Sequence, residues 1–236
     1  LLSYLEAILR VYNQLGRRDN SFKARIKILV QSVGKERFTE MVEDEWRRIA
    51  GGALDLEPGE IARIAASFAP PPYDHLEPVD PGFEIKRAAD PHFDRWCRVN
   101  LAQHKQPGYA IVDVSLKPAD GVPGDVTAAQ MEGLADIAER FSFSEIRATH
   151  WQNLVLPHVR LSDVHAVWLA LAALGLATPN IGLASDVIAC PGLDYCNLAN
   201  ARSIPVAQAI SRRFADLKRL HDIGDLRINI SGCINA

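Results

Sequence analysis

Cys190 and Cys196 flank the segment "PGLDY", and Cys233 follows in "RINISGCINA". Thiolates are strong donors to zinc and to iron–sulfur groups, so three thiols gathered late in a chain are candidate metal ligands. A structural zinc site favours a tighter pair than Cys190 and Cys196 make, together with a second pair. An iron–sulfur cluster tolerates this spacing but calls for a fourth ligand. The competing reading is a set of buried, inert thiols, because free cysteine is among the most buried residue types. Cys97, in "FDRWCRVN", reads as a core residue on a strand.

A second group is basic: Arg17, Arg18, Lys23, Arg25 and Lys27. Lys23, Arg25 and Lys27 alternate, which no single helix face can carry but an extended segment would project together. The plain alternative is a solvated face. His104 in "QHKQPGY" and His150 before Trp151 read as hydrogen-bonded loop histidines. Gln152 and Asn153 either face a ligand or satisfy strand ends. Asn235, read from its neighbours, forms a turn beside the Gly-Cys pair.

Elements must hold these residues. Residues 1–68 read as helical: Leu2, Leu5, Ile8, Leu9 and Tyr12 recur at helical spacing before Gly16. Ile26, Leu29, Val30 and Val33 do so before Gly34, and Phe38, Met41, Val42, Glu45 and Trp46 before Gly51. Residues 69–91 carry six prolines and no sustained period, and read as a linker. Over 92–185 the order is "YAIVDVSL" as strand, "TAAQMEGLADIAERF" as helix, "EIRAT" and "NLVLPHV" as strands, then "SDVHAVWLALAALG" as helix. "ASDVIAC" stands available as a last strand. This is a ferredoxin-like split βαβ unit in an α+β fold. Its expected core includes Ile111, Val112 or Val114, Leu134, Ile137, Leu154, Leu156, Trp168 and Leu171. Residues 186–236 carry the three cysteines.

Composition narrows the function classes. With 48% apolar and 23% charged residues over 236, the chain is ordinary globular protein. A net charge of −3 provides no global field for nucleic acid or anionic lipid. The strands lack the aromatic pairs of a nucleic-acid reader. No apolar run is long enough to span a bilayer, and four cysteines are too few for a disulfide scaffold. A cytoplasmic location is expected, without membrane or nucleic acid as partner.

"ACPGLDYCNLANARSIPVAQAI" followed by "LRINISGCINA" resembles the cluster-binding region of the siroheme and [4Fe–4S] nitrite and sulfite reductase family. "WCRVNLAQHKQPGYAIVDVSLK" and "EIRATHWQNLVLPHV" resemble that family's second ferredoxin-like half-domain. "YLEAILRVYNQLGRRDNSFKARIKILV" resembles the end of its first catalytic half. The resemblance implies a division into 1–68, the end of the first siroheme-binding half; 69–91, a linker; 92–185, the half-domain; and 186–236, the start of the cluster-binding half. The ferredoxin-like unit would then be flanked by parts of the α/β catalytic domains.

The resemblance makes Cys190, Cys196 and Cys233 the first three cluster ligands, with the fourth expected one residue past Ala236. The chain, which also starts mid-helix, is thus expected to be a fragment that holds neither cofactor intact and is not a competent enzyme alone. In the parent, Arg17, Arg25 and Lys27, with Asn20 and Lys23, would contact siroheme carboxylates, and Asn235 would lie near siroheme. Arginine suits that role because its fork binds a carboxylate bidentately. A ferredoxin or flavoprotein would donate electrons singly for six-electron reduction of nitrite to ammonia or sulfite to sulfide. Two other classes remain: a non-catalytic ferredoxin-like module, and a zinc-stabilised structural domain.

Overall fold

The structure is a computed structural model that describes residues 1–20 and 22–233. The chain divides into two compact units, Leu1–Pro70 and Pro71–Ala236. Among the described residues, no helix is long and apolar enough to cross a membrane.

The first unit contains α1 (Leu2–Leu15), α2 (Ile26–Val33), α3 (Lys35–Ile49) and α4 (Pro58–Ala66). Helices α1 and α3 pack through Ala7, Val11 and Val42, with Tyr4, Ile8, Met41 and Trp46 around them. The buried stripe of α1 is Ser3, Ala7 and Val11, whereas Leu2, Leu5 and Leu9 are exposed. The helix is apolar around much of its circumference, so hydropathy alone does not choose the face. The small residues do, because they leave room for Tyr4 and Trp46. Both aromatic residues also satisfy their polar atoms there: Tyr4 donates to Glu43 at 2.8 Å and Trp46 Nε1 to Ser3 Oγ at 3.2 Å.

The second unit opens with α5 (Pro81–Ala89) and α6 (Pro91–Asn100). Part of the stretch expected to be a linker is therefore helical. Pro81 and Pro91 begin helices instead of breaking them, because the first helical position needs no donor N–H. Asp80 caps α5 by accepting from Phe83 N, and Asp90 caps α6 by accepting from His92 N and Phe93 N. Cys97 sits in α6, not on a strand, and is buried. Burial pushes its thiol up to about 12.

Next come β1 (Leu101–Gln103), β2 (Tyr109–Val114), α7 (Ala128–Phe141), β3 (Arg147–Ala148), β4 (Leu154–Arg160) and α8 (Val164–Ala173). The four strands form one antiparallel sheet in the order β1-β2-β4-β3. Val112, Val114 and Leu156 share one core with Leu134 and Ile137 of α7, with Val167 and Leu171 of α8, and with Trp96 of α6. Both helices thus cover one face of the sheet, as a ferredoxin-like unit requires. Leu154 and Trp168 pack at the edge of this core. Ile111 is only half-buried, because strand alternation turns it to the face that carries Asp113. That second face is covered around Tyr73, whose ring meets His104, Tyr109, Phe143 and His158 edge-on.

The last strand differs from expectation. "ASDVIAC" does not join this sheet; its β5 (Ile188–Ala189) pairs instead with a distant segment. The edge beside β2 is already taken by β1, which reaches it through a short local connection. Local closure has the smaller entropic cost, so the hairpin wins that edge. After β5 come α9 (Ser203–Arg213), α10 (Leu217–Ile223) and β6 (Asn229–Ile230).

Candidate metal centre

Strands β5 and β6 form a parallel pair, Ile188 opposite Asn229 and Ala189 opposite Ile230. This pairing brings the segment entering Cys190 beside the segment entering Cys233. Cys190 N donates to Ile230 O at 3.0 Å. The chain then turns at Gly192, whose φ is +62°, and Cys196 N returns to Gly192 O at 2.8 Å. Asn200 N and Ala201 N both donate to Gly232 O, at 2.7 and 3.1 Å. The two cysteine-bearing loops are therefore tied to each other by main-chain hydrogen bonds.

Close approach explains two glycines. A Cβ on Gly232 would stand 2.8 Å from Gly192 Cα, and a Cβ on Gly192 would stand 2.6 Å from Ala201 O. Side chains at either position would force the loops apart.

Cys190 is the best-defined of the three thiols. Its sulfur accepts the Gly232 N–H at 3.0 Å and lies 3.5 Å from Ser203 Oγ. The Ser203 hydroxyl first, then the Gly232 amide, hold this thiol below the usual cysteine range. Cys196 and Cys233 are partly exposed, and all three sulfurs are free of disulfides. The structure thus ties together the two loops that carry the three thiols. Among the described residues, however, no three His, Cys, Asp or Glu side chains are grouped as a metal site. Sequence reasoning missed Ser203, which no motif marks, and Gly232, which the Gly-Cys pair could have flagged.

Around this centre a buried polar network anchors β5. Lys117, almost fully buried, donates to Asp186 at 2.9 Å and to Trp151 O at 2.8 Å. Asn153 accepts from Leu116 N and donates to Asp186, so its amide satisfies groups at the strand ends. Gln152 bonds the main chain of Ala189 and lines an open cleft of about 580 Å³ with Gly124, Pro191, Tyr195 and Ile204.

The basic residues lie in the first unit. Arg17 is held by Asp19 in a two-point contact at 2.7 and 2.6 Å, which pulls the Asp19 carboxyl down to about 2. Asn20 accepts from Phe22 N in a local turn. Arg25 is the N-cap of α2 and Lys27 lies in its first turn, so Lys23, Arg25 and Lys27 do not share one extended run. All three are exposed, and among the described residues none makes an ion pair. Asn235 lies outside the described residues. His104 accepts from Gln106 N at 2.8 Å and meets His158 Nδ1 at 3.2 Å, while His150 packs on Trp151.

Residues 103–174 match the nitrite/sulfite reductase ferredoxin-like half domain, and residues 1–50 match the nitrite and sulphite reductase 4Fe-4S domain. A sulfite reductase [ferredoxin] of Mycolicibacterium paratuberculosis is 28% identical over 98% of this chain and 35% of its own length. A chloroplastic ferredoxin–nitrite reductase of Zea mays is 27% identical over 98% of the chain and 35% of its own. The solved structure of the Mycobacterium tuberculosis NirA protein shares the fold, with a TM-score of 0.60 and 24% identity over 98% of this chain and 36% of its own. The chain spans about a third of the length of the curated relatives it matches.

Proposed function

Since the chain belongs to the nitrite and sulfite reductase family, we propose that it is part of an enzyme that reduces nitrite to ammonia or sulfite to sulfide. The observation that carries this reading is the Cys190 thiol, held by the Gly232 amide inside two loops that also bear Cys196 and Cys233. An N–H aimed at sulfur stabilises a thiolate, the form in which cysteine binds iron. The donor set therefore fits an iron–sulfur group.

In this reading Cys190, Cys196 and Cys233 supply three of the four ligands of a [4Fe–4S] cluster in the full-length protein. Arg25, Lys27 and Lys23, with Arg17 and Asn20, meet siroheme carboxylates. When bound, the two cofactors supply single-electron carriage and the iron at which the oxyanion is reduced. The chain's own part is positional. Gly192 and Gly232 let the loops approach, Ser203 and Gly232 favour the thiolate of Cys190, and the basic residues neutralise carboxylates. Ferredoxin, named for both relatives, is the electron donor this reading favours.

The test is the visible spectrum and the iron, sulfide and siroheme content of the purified full-length protein, then turnover of nitrite and sulfite with reduced ferredoxin. Siroheme and cluster with turnover of either oxyanion are expected. A colourless protein containing zinc would overturn the reading in favour of a structural metal domain.

A further inference from the structure

Strand β5 has two edges. On one, Ile188 N donates to Ile228 O and Cys190 N to Ile230 O, both at 3.0 Å. Successive residues of a strand turn their main-chain groups to opposite edges, so those of Ala189 face away from β6. Ala189 is only 4% exposed, and its N–H and C=O need partners there. Gln152 supplies both. Its Nε2 donates to Ala189 O at 2.9 Å, and its Oε1 accepts from Ala189 N at 3.1 Å. The side-chain amide thus stands in for the missing neighbouring strand.

The match is specific to glutamine. Aspartate and glutamate lack the donor when ionised, and asparagine is one methylene short. Gln152 itself occupies the tip of the β3–β4 hairpin with φ +57°, a left-handed conformation uncommon outside glycine. Gly124 leaves space against it: a Cβ there would lie 3.1 Å from the Gln152 Cβ. A strained residue whose side chain makes two directed contacts is a built feature.

We infer that Gln152 is a positioning residue for the metal centre, fixing Cys190 by clamping the residue before it. The inference rests on the proposed function, since it takes Cys190 as a ligand. It makes the hairpin tip of the ferredoxin-like unit part of the cluster's support, although Gln152 touches no ligand thiol itself.

The experiment compares the native full-length holoprotein with its Gln152→Ala and Gln152→Glu variants. Two readouts are used: hydrogen exchange at the Ala189 amide, and iron release to a chelator alongside the electron paramagnetic signal of the reduced cluster. In Gln152→Ala, Ala189 exchange and iron release should each rise roughly tenfold or more, with an altered signal. Gln152→Glu keeps the acceptor and loses the donor, so it should fall between. If Gln152→Ala does not fold, Gln152→Glu decides on the same readouts. Iron release and signal matching native in the folded variants would overturn the inference while leaving the functional reading intact. Native protein with no cluster would overturn both.

Discussion

Gly232 donates its main-chain N–H to the Cys190 sulfur at 3.0 Å, and the same residue has no room for a side chain, since a Cβ would meet Gly192 Cα at 2.8 Å. One position therefore both donates to a thiol and sets the spacing of two loops. Gly232→Ala should destabilise the second unit by about 1–3 kcal/mol through overpacking and lower iron content. Gly59→Ala, whose Cβ would meet nothing within 4 Å, is the control and should be near neutral. Denaturant midpoints and iron per chain check both. A native midpoint and iron content in Gly232→Ala would refute the close approach.

The Lys117–Asp186 pair is buried on both sides, with side chains 1% and 9% exposed. Lys117→Met leaves Asp186 without its cation and should cost about 3–5 kcal/mol. Adding Asp186→Asn removes the stranded charge and should recover part of that loss. A double-mutant cycle by urea denaturation measures it, and strict additivity would mean the pair is uncoupled.

Burial first, and the nearby Asp186 second, push the Asp113 carboxyl up to about 6 from 3.8. The folded state then keeps a proton that the unfolded chain has already lost. Asp113 thus stabilises fully below 3.8, and that contribution is lost as pH rises through about 6. Asp113→Asn should remove this fall and raise stability at pH 7 by on the order of 1–3 kcal/mol. Stability of both proteins at pH 4.5 and pH 7 checks it; parallel profiles would contradict the shift.

Arg17 and Arg25 should not behave alike. Arg17 is already engaged by Asp19, while Arg25 carries no ion pair among the described residues. In the full-length protein, Arg25→Ala should weaken siroheme binding roughly tenfold to a hundredfold, and Arg25→Lys less. Arg17→Ala should have the smaller effect. Siroheme per chain in the purified variants decides it, and unchanged content in Arg25→Ala would make the stretch a solvated surface.

Local patterns were legible where local physics is decisive. The helix 128–141 follows from its apolar period and from Thr127, which forms a full capping box with Gln130. Alternation in "YAIVDV" and "NLVLPHV" marked the two central strands, and Cys190, Cys196 and Cys233 stood out by type and spacing. Patterns with two local solutions were not legible. Asp-Pro at 80–81 and 90–91 looked like interruption but starts helices, because the aspartate caps what the proline begins. The helical spacing of Leu2, Leu5 and Leu9 does not say which face of α1 is buried; its packing against α3 does, through Ala7 and Val11.

What the amino-acid order determined by itself was the two central strands, the helices α7 and α8 and the family resemblance, since the strand alternation, helical period and caps that mark these elements depend on residues near one another in sequence. Tertiary structure alone decided which edge β5 would take, that Gly232 would meet Cys190, and that Gln152 would close Ala189. Those contacts join positions 37 or 42 residues apart. They rest on unsatisfied main-chain groups and steric room, which exist only once the sheet and both loops are in place.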